Sequence, residues 1–306
     1  MMNLSLLRSA ISSCLNERQK RAVKVTINEA KKRLVYALLG YDGAKFKARL
    51  RSMGVSESDT LLVHSNFKPD SGFKGTPLDL VNALAELVGE KGNLLMVSIP
   101  FRGAAYDYLA LNKPFHVKKT ISMMGLVTEM FRRKEGTLRS LHPTHPVLAR
   151  GKNAEWLVAD HECCLYPCGP GSPFEKFHRL KGKLLFFDVS FRSITFFHYV
   201  EDLLQERLPF PVYGDRLFSV PAVGVNGEDR VIRTYAFNND VRRMAEKLEA
   251  EMERQGKIRD GSVGNSRFRL VTAEDVVACF TAMVETGNLP YAIVTGERNG
   301  EHQDDD

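Results

Sequence analysis

At 306 residues, 43% hydrophobic and 26% charged, the chain has ordinary globular composition and is long enough for one large core. No window approaches eighteen uninterrupted apolar residues, so no membrane-spanning helix is expected; five cysteines (Cys14, Cys163, Cys164, Cys168 and Cys279) without a secretory signal fit a reducing cytoplasm. The net charge of +6 is uneven, because residues 1–52 hold twelve Lys and Arg against three Asp and Glu. That segment reads as a solvated helical face; an anionic membrane surface or anionic cofactor is the competing use, and nothing resembles an RNA-binding module.

In chain order, residues 3–39 read as helical and close at Gly40, and 45–53 as a second helix closed by Gly54. An α/β rhythm follows. Thr60 to His64 is a short buried strand, Thr76 caps a helix with Pro77 in its first turn, and Asn93 to Ile99 is a second strand. Residues 101–119 form a long irregular segment, with the length of a functional loop. A helix is expected over 120–134, a short strand over 146–150, and helices over 153–160 and 172–179. Lys183 to Val189 is the third clear strand, and it hands over to a helix expected from Thr195 to Arg207. Residues 218–234 alternate around Asn226-Gly227, a strong hairpin signal. Helices over 239–255 and 273–286 flank a β segment at 263–270. The expected organisation is a basic helical extension (1–42), one α/β domain with a mixed sheet flanked by helices (43–290) and a polar tail (291–306).

Thr195, His198 and Glu201 recur at intervals of three, which puts them on roughly one helix face. An imidazole supported by a carboxylate is a standard general base, whereas packing alone would account equally for a histidine among Phe196, Phe197 and Tyr199. His64 and Ser65 end the first α/β strand, where open sheets place their sites. The loop Ser71 to Thr76, with Lys74 and Gly75, leads into a helix N-terminus; it lacks the spacing of a Walker loop, and an ordinary capped loop is the plainer account. His142, His145 and His161 lie near Arg139, and His161 precedes Cys163, Cys164 and Cys168. Those spacings do not form two clean ligand pairs, so no metal is assigned; a zinc hydrolase is the weaker reading of that cluster.

Taken in order, these elements resemble the aminoglycoside 3-N-acetyltransferase family over about residues 43–290. The elements are Val63-His64-Ser65, Gly75-Thr76, Met124-Gly125-Leu126, Arg139-Ser140-Leu141-His142-Pro143, Ala149-Arg150-Gly151 with His161, Gly169-Pro170-Gly171-Ser172-Pro173, and Thr195-x-x-His198-x-x-Glu201. The resemblance implies a mixed α/β acetyltransferase that takes acetyl-CoA and acetylates an amine of an aminoglycoside, at the 3-amino group of its aminocyclitol. It implies His198 as base, Glu201 as its orienter and Thr195 as an oxyanion donor. Ser65, Lys68, Lys74, Gly75, Thr76 and Arg139 would contact the cofactor, and His64, His142 and His161 the acceptor. The chain departs from the family pattern at Asn66, at Thr144-His145-Pro146, and at Asp188 where Gly is usual. These departures leave an amino-sugar nucleotide of polysaccharide biosynthesis as an alternative acceptor. A non-catalytic membrane-peripheral protein anchored by the basic segment is the alternative from another class. Monomer and homodimer both stay open.

Overall fold

The computed structural model describes residues 16–293, Pro69 excepted. Among them the strands are β1 (Thr60–Ser65), β2 (Asn93–Val97), β3 (Phe115–His116), β4 (Leu138–Arg139), β5 (Val147–Gly151), β6 (Lys183–Phe187), β7 (Tyr213–Val223), β8 (Asp229–Phe237), β9 (Val241–Arg243), β10 (Arg259–Val263), β11 (Ser266–Thr272) and β12 (Tyr291–Ile293). Seven make one mixed sheet in the order β10-β11-β6-β1-β2-β5-β4. The middle three, β6, β1 and β2, are parallel, and the outer pairings are antiparallel.

The parallel strands are apolar throughout because helices cover both of their faces. Alternation then sorts their residues. Leu61, Val63, Leu94, Met96, Leu185 and Phe187 join one core with Phe46, Leu80 and Leu84. Leu62, Leu95, Leu184 and Phe186 join the other with Phe177, Phe196 and Phe280. Helix Pro77–Val88 starts on a capping box in which Thr76 and Asp79 satisfy each other's backbone amides.

Two small sheets complete the molecule: β3-β7-β8, and β12 paired with β9. The Asn226-Gly227 turn joins β7 to β8, with Gly227 at φ +86° as that turn requires. Strand β8 ends on Phe237 and β9 on Arg243, and both side chains enter the candidate site.

Several expected elements are shorter or of another kind. The helix expected over 120–134 spans Leu126–Arg133, because Gly125 at φ +94° keeps the preceding residues out of the helix. The helix expected from Asn239 begins at Ala245, after the strand β9. The single β segment near 263–270 is the hairpin β10–β11, turning at Gly264 with φ +58°. The expected Thr195–Arg207 helix is Phe197–Leu203 followed by a 3-10 turn, so Thr195 lies just outside it. Residues 291–293, assigned to the tail, pair with β9 and bury Tyr291. Within the basic extension, helix Glu17–Leu39 is observed; residues 1–15 and 294–306 lie outside the described set.

Candidate active site

The site is assembled at the carboxyl ends of β1, β2 and β6, where the parallel strands stop and their loops diverge. His198 projects from helix Phe197–Leu203 with its side chain 23% exposed. Its Nδ1 lies 2.6 Å from Oε2 of Glu201, which is fully buried one helical turn later. A carboxylate only accepts, so Nδ1 donates and the ring's lone pair sits on Nε2. Arg243 reaches the same carboxylate, with Nε 3.0 Å from Oε1 and 3.2 Å from Oε2. The Phe237 ring stacks on His198 at 4.2 Å between centroids. His145 meets both rings edge-on, at 5.8 Å from His198 and 5.3 Å from Phe237.

The surrounding histidines divide into framework and lining. His161 is wholly buried and satisfied, since Nε2 donates to the Pro167 carbonyl and Nδ1 accepts from Ser140 Oγ, both at 2.8 Å. It stands behind His142, whose ring stacks on it at 4.5 Å. His142 Nδ1 accepts from the Thr144 amide, which leaves Nε2 as a buried donor with the Cys164 backbone as its neighbour. His145 Nδ1, His64 Nε2, Ser65 Oγ and Ser98 Oγ are buried without partners. Burial lowers the pKa of each histidine, to about 4 for His64 and well below the ordinary value for His142 and His145, so their rings are neutral at physiological pH. Buried polar atoms rarely go unpaired without a reason. Of these, His145 stands against the His198 ring, so the orphan Nδ1 belongs to the immediate surroundings of the partly exposed imidazole.

The other expected residues are placed as follows. Thr195 sits in the turn before the helix, and its carbonyl accepts from the His198 amide at 3.1 Å. Lys68 and Lys74 are exposed and Gly75 is half-buried, on the loop between β1 and helix Pro77–Val88. The Thr76 amide donates to Asp79 Oδ2 at 2.8 Å, so that helix start is closed by its own carboxylate. Arg139 is buried and donates to the carbonyls of Thr120 (2.6 Å), Ser98 (2.8 Å) and Val117 (3.3 Å). It clamps three backbone segments, and burial brings its pKa down to about 9. Its terminal nitrogens are therefore committed to the fold and not to a phosphate. Phe237 and Arg243 belong to the candidate site but were not singled out from the sequence, whereas His145 was noted there in the cluster with His142 and His161 and given no role.

Among the described residues, no group of three His, Cys, Asp or Glu side chains converges to hold a metal ion. Cys164 and Cys168 are buried and Cys163 is exposed. Burial raises the Cys164 thiol to about 11, as for a thiol packed in the interior.

A carboxylate-held imidazole beyond the parallel strand ends of a mixed sheet is the arrangement of a general base in an α/β enzyme. The chain belongs to the aminoglycoside 3-N-acetyltransferase family, whose model matches residues 62–285. It is similar to aminoglycoside N(3)-acetyltransferase III of Salmonella sp, at 29% identity over 253 residues, covering 74% of this chain and 86% of that one. It is also similar to aminoglycoside N(3)-acetyltransferase IV of Salmonella sp, at 28% identity over 261 residues, covering 84% and 92%. The fold matches the solved structure of AAC-IIIb in binary complex with CoASH, with a TM-score of 0.69 over 84% of this chain and 99% of that one, at 23% identity. Among the described residues no helix is long and apolar enough to cross a membrane.

Proposed function

We propose that this chain transfers the acetyl group of acetyl-CoA to an amine of an aminoglycoside, at the 3-amino group of the aminocyclitol. The observation that carries the reading is the His198–Glu201 pair, whose ring lone pair sits on Nε2 of a partly exposed imidazole.

An ammonium has no lone pair, so its first proton is given up to solvent as the amine binds. The neutral amine attacks the thioester carbonyl carbon, forming the C–N bond as the carbonyl pair moves onto oxygen, and one of the nitrogen's two remaining protons passes to His198 Nε2, which is why the chemistry needs a base there. Glu201 stabilises the imidazolium so formed through Nδ1. Collapse of the tetrahedral intermediate breaks the C–S bond, and the proton on Nε2 returns to the departing thiolate. Thr195, at the start of the same helical segment, is assigned to the oxyanion. Ser65, at the end of β1, carries an orphan hydroxyl that suits the donor's polar groups, and the exposed Lys68 and Lys74 on the loop that follows supply positive charge to that loop. The neutral rings of His64 and His142 line the acceptor side without repelling a polycation.

The test is release of free CoA thiol with a panel of amines that includes deoxystreptamine antibiotics and nucleotide-linked amino sugars. CoA release with an antibiotic, acetylated at its 3-amino group by mass spectrometry and NMR, is the expected result. His198→Ala should lower kcat by about a thousandfold or more. Full activity in that variant would overturn the mechanism, and turnover only with nucleotide-linked sugars would reassign the acceptor.

A further inference from the structure

The buried Glu201 carboxylate is shared by two cationic partners. It is fully buried, and His198 Nδ1 occupies one edge of it at 2.6 Å. Arg243 Nε straddles both oxygens at 3.0 and 3.2 Å. The guanidinium cannot swing away, since Nη1 donates to the carbonyls of Asn238 (2.7 Å) and Val241 (3.1 Å) and Nη2 to that of Val212 (3.3 Å). Its flat face lies 5.2 Å from the centroid of Phe237, the same ring that stacks on His198.

We propose that Arg243 is a positioning residue that keeps His198 available as a base, by holding the Glu201 carboxylate in place and offsetting its charge. The proposal rests on His198 acting as the base. A buried carboxylate with no other partner attracts a proton onto the adjacent imidazole and holds it there, which removes the lone pair the reaction needs. A fixed guanidinium on the same carboxylate cancels most of that attraction while leaving Oε2 to orient the ring. Lysine supplies the charge without the fork; methionine supplies the bulk without the charge.

The other ionisable groups that face this pair are few. Asp202 shares the helix, His145 comes from the loop before β5, Tyr213 from β7, Tyr291 from β12 and Cys168 from the loop before helix Pro173–Arg179. Of these groups, only Arg243 is a cation at neutral pH: His145 is held neutral by burial, and burial raises Tyr213, Tyr291 and Cys168 out of the physiological range. Asp202 is the group whose titration could be confused with that of His198, so its Asn variant serves as the control background.

The experiment follows the His198 ring by NMR titration in the full chain, assigned against His198→Ala, and the pH dependence of kcat/KM from CoA release. Arg243→Met should move the His198 midpoint and the acid limb upward by about 1 unit or more. Arg243→Lys should restore the midpoint most of the way while kcat stays depressed and KM changes little. Because Arg243→Met leaves a buried charge unpaired and puts folding at risk, the part of the shift that comes from the guanidinium's own charge on the ring is also read between Glu201→Gln and Glu201→Gln/Arg243→Met, where no carboxylate is stranded. Unmoved midpoints in both comparisons, or equal shifts in the Met and Lys variants, would overturn the proposal. A wild-type protein that releases no CoA with any amine would instead defeat the functional reading, and the NMR titration would still decide the role of Arg243.

Discussion

Asp202 follows Glu201 directly and is almost as deeply buried, yet it has no cationic partner of its own. Its Oδ2 accepts from the Tyr213 hydroxyl at 2.7 Å, while Oδ1 has no partner. Burial, the largest cause, lifts its pKa from 3.8 to about 8, so the folded protein holds it as the neutral acid at pH 7. The sign follows from linkage: a carboxyl whose folded pKa is raised contributes stability that is fully present below its unfolded value and is lost as pH rises through the folded one. At 1.36 kcal/mol per unit, this single group removes about 4 kcal/mol of stability between roughly pH 5 and pH 8. Asp202→Asn keeps an oxygen for Tyr213 and abolishes the titration. Urea melts of wild type and variant at several pH values should therefore diverge, with the variant gaining on the wild type by that amount as pH rises. The difference cancels every other titrating group common to both. Parallel curves would mean that Asp202 ionises normally in the folded state, through water or a cation reaching Oδ1, and that its neutral form is no part of the site.

Two further changes probe the frame. Gly151→Ala should cost about 3 kcal/mol in denaturant melts, because Gly151 sits at φ +130° and a Cβ there would lie 2.1 Å from the Gly92 carbonyl oxygen; a loss below half of that would show that β5 can shift away from β2. Phe46→Ala should cost about 3–5 kcal/mol, since Phe46 is fully buried and packs edge-on against Phe73, Phe187 and Phe268. Phe73 lies on the loop assigned to acetyl-CoA, so steady-state kinetics should show its KM rising more than kcat falls.

The sheet's centre was readable because β1, β2 and β6 each carry a short apolar run, Leu61–Val63, Leu94–Val97 and Leu184–Phe187, bounded by polar residues and turns, and burial on both faces leaves no other use for them. The pair His198 and Glu201 was readable because three-residue spacing has a direct geometric meaning in a helix. Arg243 was not, since its partner lies forty-two residues earlier and only the pairing of β9 with β12 brings it there. The strand β10 escaped because Arg259, Asp260, Gly261 and Ser262 have no apolar alternation; its partner strand and its place at the sheet edge make it a strand, and local propensity does not. For Arg139 the sequence suggested a phosphate ligand, and burial turned its two terminal nitrogens inward onto three backbone carbonyls. A cationic side chain shows its chemistry in the sequence, but its partners are decided by depth.

The ring of Phe237 stands at the end of the three-stranded sheet, while the imidazole that it covers rises from the main one. The two halves of the proposed site thus belong to different layers, joined by the Phe237–His198 stack, by the Tyr213–Asp202 hydrogen bond and by the segment that runs on to Arg243 and its hold on Glu201. Local openings in proteins occur along such seams, at a fraction of the cost of global unfolding. Activity in this chain should accordingly report how tightly the hairpin is seated. Mild heat or denaturant will silence the enzyme while most of its helix and sheet signal is still intact.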